Sequence, residues 1–124
     1  MNFVAGWSDL DASLANGLTP ITIPSGTKSL LARYEFLEGP MTGFNFGWQY
    51  SGWGSAMMDA GRTRYITPSG NLHHLLFGYR GENWRVNARV GNVFDDFEIY
   101  ANRFETAVGV AEFRNYRLQF TFDF

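Results

Sequence analysis

Residues 116–124 read Tyr-Arg-Leu-Gln-Phe-Thr-Phe-Asp-Phe, and this stretch decides the fold. Successive side chains of a β-strand point to opposite faces, so its apolar and polar residues separate completely. The apolar face carries Tyr116, Leu118, Phe120, Phe122 and Phe124, and the other face carries Arg117, Gln119, Thr121 and Asp123. The stretch therefore predicts a strand with one strongly aromatic face.

The composition of the 124-residue chain favours alternating strands. Hydrophobic residues make up 45% and aromatic residues 18%, yet the mean hydropathy is -0.21, so polar and apolar residues must be finely interleaved. The formal charge of -2 and the single lysine, Lys28, argue against nucleic acid as a partner. The absence of cysteine excludes disulfides and thiolate chemistry. No apolar run approaches the roughly 18 residues of a transmembrane helix.

Apolar residues at every second position predict six strands, at residues 2–10, 27–37, 43–53, 72–80, 84–90 and 112–124. Residues 27–37 and 72–80 also fit a helical spacing. We prefer a strand for residues 27–37 because Arg33 and Glu35 then share one face. The fold class we expect is all-β: an antiparallel up-and-down meander of about six strands, part of a transmembrane β-barrel and an open curved sheet if alone.

The connections between the predicted strands alternate in length. Turns near Gly39 and Gly81 are short, whereas residues 11–25, 54–67 and 95–111 form long loops. Transmembrane barrels have short periplasmic turns and long outer loops. We therefore expect the outer loops to be centred near Gly17, Asp59 and Asn102.

Two further features concern the ends of strands. The alternation of residues 84–90 slips at Gly91-Asn92, which predicts a bulge or the strand's exit from the apolar layer. The first and last strands should be free edges, since six strands are too few to close a spanning ring. The N-terminal residues have no signal-peptide pattern, which predicts a cytosolic protein or a chain that begins inside a longer one.

Residues 83–96, Asn-Trp-Arg-Val-Asn-Ala-Arg-Val-Gly-Asn-Val-Phe-Asp-Asp, resemble the penultimate-strand motif of TonB-dependent outer-membrane receptors. The matching positions are Trp84, Asn92, Phe94 and Asp95. Departures are mild: Gly91 stands where the family often has Asn, and the residue after Asp95 is acidic where it is often basic. Residues 26–36, 69–79 and 114–124 resemble other strands of the family, most closely its siderophore-receptor branch.

The resemblance implies that residues 1–124 are the C-terminal portion of a receptor barrel in the cell outer membrane of a Gram-negative bacterium. The parent would import a ferric siderophore or similar nutrient, without a cofactor in this segment. Its partners would be outer-membrane lipid, the rest of the barrel with its plug domain, the barrel assembly machinery, and the TonB system through a missing N-terminal part. The assembly signal would comprise Tyr116, Leu118, Phe120, Phe122 and Phe124.

Candidate metal ligands and catalytic groups are sparse. His73 and His74 are adjacent, so a strand points them to opposite faces, and each alone can be a ligand contact or a solvated or interfacial histidine. Asp95, Asp96 and Glu98 lack the spacing of a calcium loop. No nucleophile motif or defined pair of carboxylates is present, so we expect no enzyme.

The charged residues of the strands fall opposite the aromatic residues. These are Arg33, Glu35, Arg85, Arg89, Arg117 and Asp123. An arginine facing lipid at the midplane costs about 2 to 4 kcal/mol, so a wet interior with salt bridges and plug contacts suits them. Aromatic residues near strand ends suit the two membrane interfaces. They are Trp7, Trp48, Tyr50, Trp53, Tyr79 and Trp84. The alternative is a small soluble β-barrel or β-sheet ligand-binding module.

Overall fold

The structure, a computed structural model, describes residues 2–11, 14–16, 20–58, 66–101 and 108–123. In these residues all regular structure is β-strand. The strands are β1 (Asn2–Asp11), β2 (Gly26–Glu35), β3 (Phe44–Trp53), β4 (Ala56–Met57), β5 (Ile66–Thr67), β6 (Gly70–Arg80), β7 (Trp84–Gly91), β8 (Ile99–Ala101), β9 (Val108–Val110) and β10 (Asn115–Phe122). The predicted all-β class is confirmed. Phe124 and the predicted loop centres Gly17, Asp59 and Asn102 lie outside the described residues.

Six strands form one antiparallel sheet in the order β1-β2-β3-β6-β7-β10. Strands that follow one another along the chain are neighbours in this sheet, so the predicted meander is confirmed. The sheet is not closed into a ring, because β1 and β10 lie at its opposite edges. Both strands with an ambiguous spacing, β2 and β6, are strands as we predicted.

The register assigns every strand residue to one of two faces, because residues directly opposite each other in an antiparallel pair share a face. One cross-strand row runs through Tyr34, Phe46, Phe77, Ala88 and Leu118. We call the face that carries this row the apolar face. The next row runs through Arg33, Gly47, Leu76, Arg89 and Arg117 on what we call the polar face. Phe120 and Arg117 therefore lie on opposite faces, as predicted.

The sheet is staggered in a way that indicates tilted strands. The number of residues from the row that contains Leu118 to the strand end nearest the short turns rises across the sheet. It is one in β2, two in β3, three in β6 and four in β7 and β10. From β2 to β10 the strand ends therefore shift by three residues, or about 10 Å along the strands. The same four steps cover about 19 Å across the sheet, at about 4.8 Å each, so the strands tilt by roughly 30°. Barrel closure requires such a stagger.

The two short turns are held by backbone hydrogen bonds. In the β2–β3 turn, the Phe36 N–H donates to the Phe44 carbonyl at 2.9 Å, and Gly43 adopts a φ of 89°. A Cβ atom on Gly43 would lie 2.5 Å from the Arg80 carbonyl oxygen, so only glycine allows this turn to pack against the end of β6. In the β6–β7 turn, the Gly81 N–H donates to the Trp84 carbonyl at 2.8 Å.

The loops after β3 and β7 contain structure that the sequence did not predict. Strands β4 and β5 pair with each other, and β8 pairs with β9. Strands of two or three residues are too short to show an alternating pattern, so the prediction of plain loops at residues 54–67 and 95–111 was wrong in this respect. We call these four short strands the loop end. Contacts of β8 with both β4 and β5 join the two ribbons.

Most strand boundaries differ from the prediction by one to three residues, and two of these differences have a clear cause. Strand β2 ends at Glu35 rather than at residue 37, because Phe36 already makes the hydrogen bonds of the turn. Strand β10 begins at Asn115 rather than at residue 112. Residues 112 and 114 instead bond to the segment that follows β7, where Glu112 accepts a hydrogen bond from Asn92 and Arg114 donates one to Asp95.

Candidate lipid-facing surface

The apolar face extends without interruption across the sheet. Its members from β1 to β10 include Trp7, Leu30, Ala32, Tyr34, Phe44, Phe46, Trp48, Tyr50, Leu75, Phe77, Tyr79, Trp84, Val86, Ala88, Val90, Tyr116, Leu118, Phe120 and Phe122. The residues that we predicted to share a face, among them Phe44, Trp84 and Phe120, do share it. Charged residues of this face lie near the long loops: they are Asp9, Asp11 and Lys28, and Asp9 and Lys28 pair at 3.8 Å.

The apolar face is uncovered. On β10, Tyr116, Leu118, Phe120 and Phe122 are 58% to 74% exposed, and Phe46 on the inner strand β3 is 44% exposed. The accessible surface of the chain is 8737 Å². A compact monomer of 14.1 kDa exposes about 6,700 Å². A second layer that would bury this face is not found in the described part of the chain.

An aromatic cluster lies at the turn end of the apolar face. The ring centroids of Phe44 and Tyr79 are 4.5 Å apart, and those of Tyr79 and Trp84 are 5.1 Å apart. Tyr34 and Phe36 meet edge to face at 4.7 Å. We call these five residues the turn-end girdle. Tyrosine and tryptophan combine an apolar ring with a polar group, and they favour the boundary between hydrocarbon and water.

A second aromatic cluster lies at the other end of the apolar face and centres on His73. The His73 ring stacks on Trp48 at 5.6 Å, and its Nδ1 accepts a hydrogen bond from Trp48 Nε1 at 3.1 Å. Tyr50 and Phe94 meet the same ring at 5.2 Å and 5.1 Å. We call these four residues the loop-end girdle. His73 thus belongs to an aromatic boundary, while His74 points to the polar face, as the strand alternation predicted.

Trp53 was wrongly predicted to belong to such a boundary. Its register partners, Thr27 and Gly70, place it on the polar face. There Trp53 Nε1 donates to the Ile99 carbonyl at 3.2 Å, and its ring meets Tyr100 edge to face at 6.3 Å. We chose Trp53 because it lies near a strand end, but the alternation of β3 decides on which face of the sheet its side chain lies. Trp53 anchors β8 to the sheet.

The height of the apolar face suits a bilayer. The six strands of the sheet have 8 to 11 residues. A tilted strand needs about 9 to 11 residues to cross the hydrocarbon core of a membrane. The two girdles lie toward opposite ends of the face, and on β3 the apolar-face residue between Phe44 of one and Trp48 of the other is Phe46.

The charged residues predicted to oppose the aromatic face do lie on the polar face. Arg33, Arg89 and Arg117 share one cross-strand row. Arg85 makes an ion pair of 3.4 Å with Asp123 after the end of β10. The face also carries several leucines, so it is mixed rather than wholly polar. Its arginines lie on the face opposite the exposed aromatic side chains.

Asn92 ends β7 and ties the sheet to the loop end. It is 2% exposed and adopts a φ of 48°, which asparagine tolerates better than most residues. Its Nδ2 donates to the carbonyl oxygens of Asp96 and Glu112 at 2.8 Å and 3.1 Å, and its Oδ1 accepts from the Asp96 N–H at 3.1 Å. Its backbone N–H donates to His74 Nδ1 at 3.2 Å. The predicted exit of the strand is therefore a fixed turn.

The other motif residues divide into structural roles. Asp95 adopts a φ of 60°, and its Oδ1 accepts a hydrogen bond of 2.7 Å from the Arg114 N–H. Phe94 belongs to the loop-end girdle and Trp84 to the turn-end girdle. The structure brings Asn92, Phe94 and Asp95 together in one turn and places Trp84 at the opposite end of β7. The residues of the motif thus mark both ends of β7: Trp84 lies where the strand begins, and Asn92, Phe94 and Asp95 form the turn that follows it.

Sequence reasoning missed the residues that complete this turn. Asn115 Nδ2 donates to Glu112 Oε2 and to the Phe113 carbonyl, both at 3.1 Å, and Gly91 leaves room for the Asn115 amide. Ala111 donates its N–H to the Glu98 carbonyl at 2.9 Å. The contacts of Gly91 with Asn115 and of Ala111 with Glu98 join residues that are distant in the sequence, and no local pattern signals them.

The described residues offer little for other kinds of site. No three His, Cys, Asp or Glu side chains within the described ranges are grouped so that they could hold a metal ion. A search of the same ranges finds no helix long and apolar enough to span a membrane. Neither a comparison with protein-family models nor a search of the curated proteins finds a match for this chain.

Proposed function

We propose that this chain forms part of the transmembrane β-barrel wall of a TonB-dependent outer-membrane receptor, at its C-terminal side. The apolar face then contacts outer-membrane lipid, and the polar face lines the interior of the barrel. The β2–β3 and β6–β7 turns lie on the periplasmic side, and the loop end lies outside. The parent receptor would take up a ferric siderophore or a similar scarce nutrient.

The observation that carries the proposal is the uncovered apolar face. A soluble sheet buries its apolar face against a helix layer or a second sheet. Here the face spans six strands and stays open, with Leu118 and Phe120 more than 60% exposed. Exposed apolar surface of this extent marks contact with a membrane or another protein. The two aromatic girdles, one near the short turns and one near the long loops, favour the membrane.

Strand geometry and the motif support the same proposal. A tilt of roughly 30° lies close to the 35° to 45° of outer-membrane barrels. The family motif at residues 83–96 has a physical meaning in this sheet, since Trp84 and Phe94 reach the two girdles while Asn92 and Asp95 hold the turn between β7 and the loop end. The family resemblance and the geometry of the sheet therefore both support a place in the wall of a receptor barrel.

The edges of the sheet indicate the kind of partner that the proposal requires. Strands β1 and β10 would expose backbone N–H and C=O groups to hydrocarbon, and each unpaired group costs several kcal/mol there. We propose that the remaining strands of the receptor barrel pair with both edges. The barrel assembly machinery would read the last strand and Phe124, and the plug domain would connect the receptor to TonB.

A pair of adjacent substitutions tests the lipid-facing assignment. Leu118→Arg places a charge on the apolar face, and Gln119→Arg places the same charge on the polar face one residue away. We expect the wild type to float with vesicles of phosphatidylethanolamine and phosphatidylglycerol. Leu118→Arg should weaken this association by about 2 to 4 kcal/mol, whereas Gln119→Arg should leave it nearly unchanged.

The same experiment has outcomes that contradict the proposal. A wild-type chain that stays in the aqueous fraction would support a soluble module instead. Equal losses in Leu118→Arg and Gln119→Arg would show that overall charge, not the face, governs association with the vesicles. Circular dichroism of each variant in detergent checks that the β-sheet content is retained.

A further inference from the structure

The polar face carries a concentration of positive charge that its own acids do not neutralise. Arg33, Arg89 and Arg117 lie in one cross-strand row, and Arg89 stands directly opposite Arg117. Like charges directly opposite each other destabilise a sheet unless a counter-charge lies between them. None of the three arginines forms an ion pair with any residue that the structure describes.

A row of uncharged amides lies next to the arginines on the same face. Asn45, Asn87 and Gln119 stand in the adjacent cross-strand row, with Gly78 between the two asparagines. A side chain on Gly78 would meet both Asn45 and Asn87 within 3.0 Å, so its absence leaves room for the two amides. The carboxylate in this row is Glu35, which stands opposite Asn45.

These two rows, with Leu76 between the arginines, line a half-open cavity of about 280 Å³ on the polar face. Arg33, Asn45, Asn87, Arg89, Arg117 and Gln119 line it, and no carboxylate is among the described residues of its lining. Each guanidinium offers five N–H donors in a planar fork, and each amide offers two more. Guanidinium forks match carboxylate and phosphate oxygens in pairs, which gives short, charge-assisted hydrogen bonds.

The contrast with Arg85 identifies what is unusual about the row. Arg85 lies on the same face, but its guanidinium has an ion-pair partner in Asp123 at 3.4 Å. Arg89 is half-buried and lines the cavity without such a partner. Burying a charge is unfavourable unless it is paired. An anion in the cavity would supply the missing partner for Arg89 and would relieve its repulsion with Arg117.

We propose that this cavity is a binding site for a small anion that carries two or more carboxylate or phosphate groups. Arg89 and Arg117 bind one acidic group together, and Arg33, three strand spacings or about 14 Å from Arg89 along the row, binds a second. Asn45, Asn87 and Gln119 donate hydrogen bonds to the remaining oxygens. The site lies on the face that the proposed function assigns to the barrel interior, and it rests on that function only in needing this face open to water; it uses none of the lipid-facing side chains.

Titration of the detergent-solubilised chain with citrate and with pyrophosphate tests the site. Isothermal calorimetry measures the dissociation constant, and NMR of the arginine Nε–H groups identifies the residues that bind. We expect binding of at least one probe, weakened about tenfold or more in Arg117→Gln and in Arg89→Gln. The probe that binds more tightly identifies the acidic group as carboxylate or phosphate. Arg85→Gln is the matched control and should bind like the wild type.

Arg117→Lys separates the role of the guanidinium fork from that of charge alone. It keeps the charge and the fold but loses paired hydrogen bonds, so its affinity should fall between those of the wild type and Arg117→Gln. The proposal is overturned if neither probe binds, if Arg89→Gln and Arg117→Gln bind as well as the wild type, or if Arg85→Gln weakens binding equally. Failure here leaves the vesicle experiment on Leu118 and Gln119 untouched.

Discussion

At the loop end, Ala56 and Met58 are 1% and 2% exposed, whereas on the sheet Leu118 and Phe120 are 64% and 61% exposed. The two regions belong to one chain, but they place their apolar side chains differently. The loop end buries a small cluster that includes Ala56 and Met58, although Ile66 and Val108 of its strands are 62% and 50% exposed. One region packs a small apolar cluster within the chain, and the other leaves its apolar face uncovered.

The link between these regions is polar. Asn92 bonds to Asp96 and Glu112 at the loop end and to His74 in the sheet. Residues 21 and 22 also join β4 through backbone pairing, since the Thr22 N–H donates to the Met57 carbonyl at 2.8 Å. Hydrogen bonds therefore hold the loop end on a sheet that has almost no buried apolar core of its own.

The largest expected effect is at this link. Asn92→Ala leaves the carbonyls of Asp96 and Glu112 and the Asp96 N–H without their partner, and it places alanine at a φ of 48°. We expect the free energy of unfolding in detergent to fall by about 3 to 4 kcal/mol, measured by urea titration. Asn92→Asp keeps the bond from the Asp96 N–H and should lose less. Equal losses in the two variants would show that the side-chain donor bonds are unimportant.

A pair of methionines separates a buried core from exposed surface. Met58 is 2% exposed at the loop end, and Met41 is 47% exposed in the β2–β3 turn. Met58→Ala should lower the free energy of unfolding by about 2 to 3 kcal/mol, because it opens a cavity. Met41→Ala should change it by less than about 0.5 kcal/mol. If Met58→Ala were as mild as Met41→Ala, the loop end would not be a packed core.

The smallest effect should depend on the solvent. Phe120→Ala removes an exposed ring from the apolar face, so in aqueous solution without lipid it has little contact to lose. In bilayers we expect it to lower the free energy of unfolding by about 1 to 2 kcal/mol, since the ring leaves hydrocarbon. Gln119→Ala on the polar face is the control. An effect of Phe120→Ala that is the same with and without lipid would mean that the face does not contact lipid.

The sheet was predictable from the sequence because its information is local. Alternation fixes the two faces of each strand, and glycines near residues 39 and 81 fix the short turns. Both ambiguous segments, β2 and β6, became strands because each has a strand partner on both sides. The exit of β7 at Asn92 was predicted from a slip in phase, although the hydrogen bonds that hold it were not.

The loop end was not predictable, because strands of two or three residues are too short to show an alternating pattern. Trp53 shows the limit most clearly. Its position near a strand end suggested an interface with the membrane, but its register places it on the polar face, where it bonds to Ile99. That contact depends on where β8 lies, and only the folded chain brings residues 53 and 99 together.

Two tryptophans on β3 provide the most direct test of whether one face of the sheet contacts lipid. Trp48 lies on the apolar face and Trp53 on the polar face of the same strand, five residues apart. Variants that retain only one of the four tryptophans, with phenylalanine at the other three positions, are placed in vesicles whose acyl chains carry bromine. We expect strong quenching of Trp48 fluorescence and weak quenching of Trp53 fluorescence. Equal quenching of the two, or none of either, would contradict a sheet that faces lipid on one side.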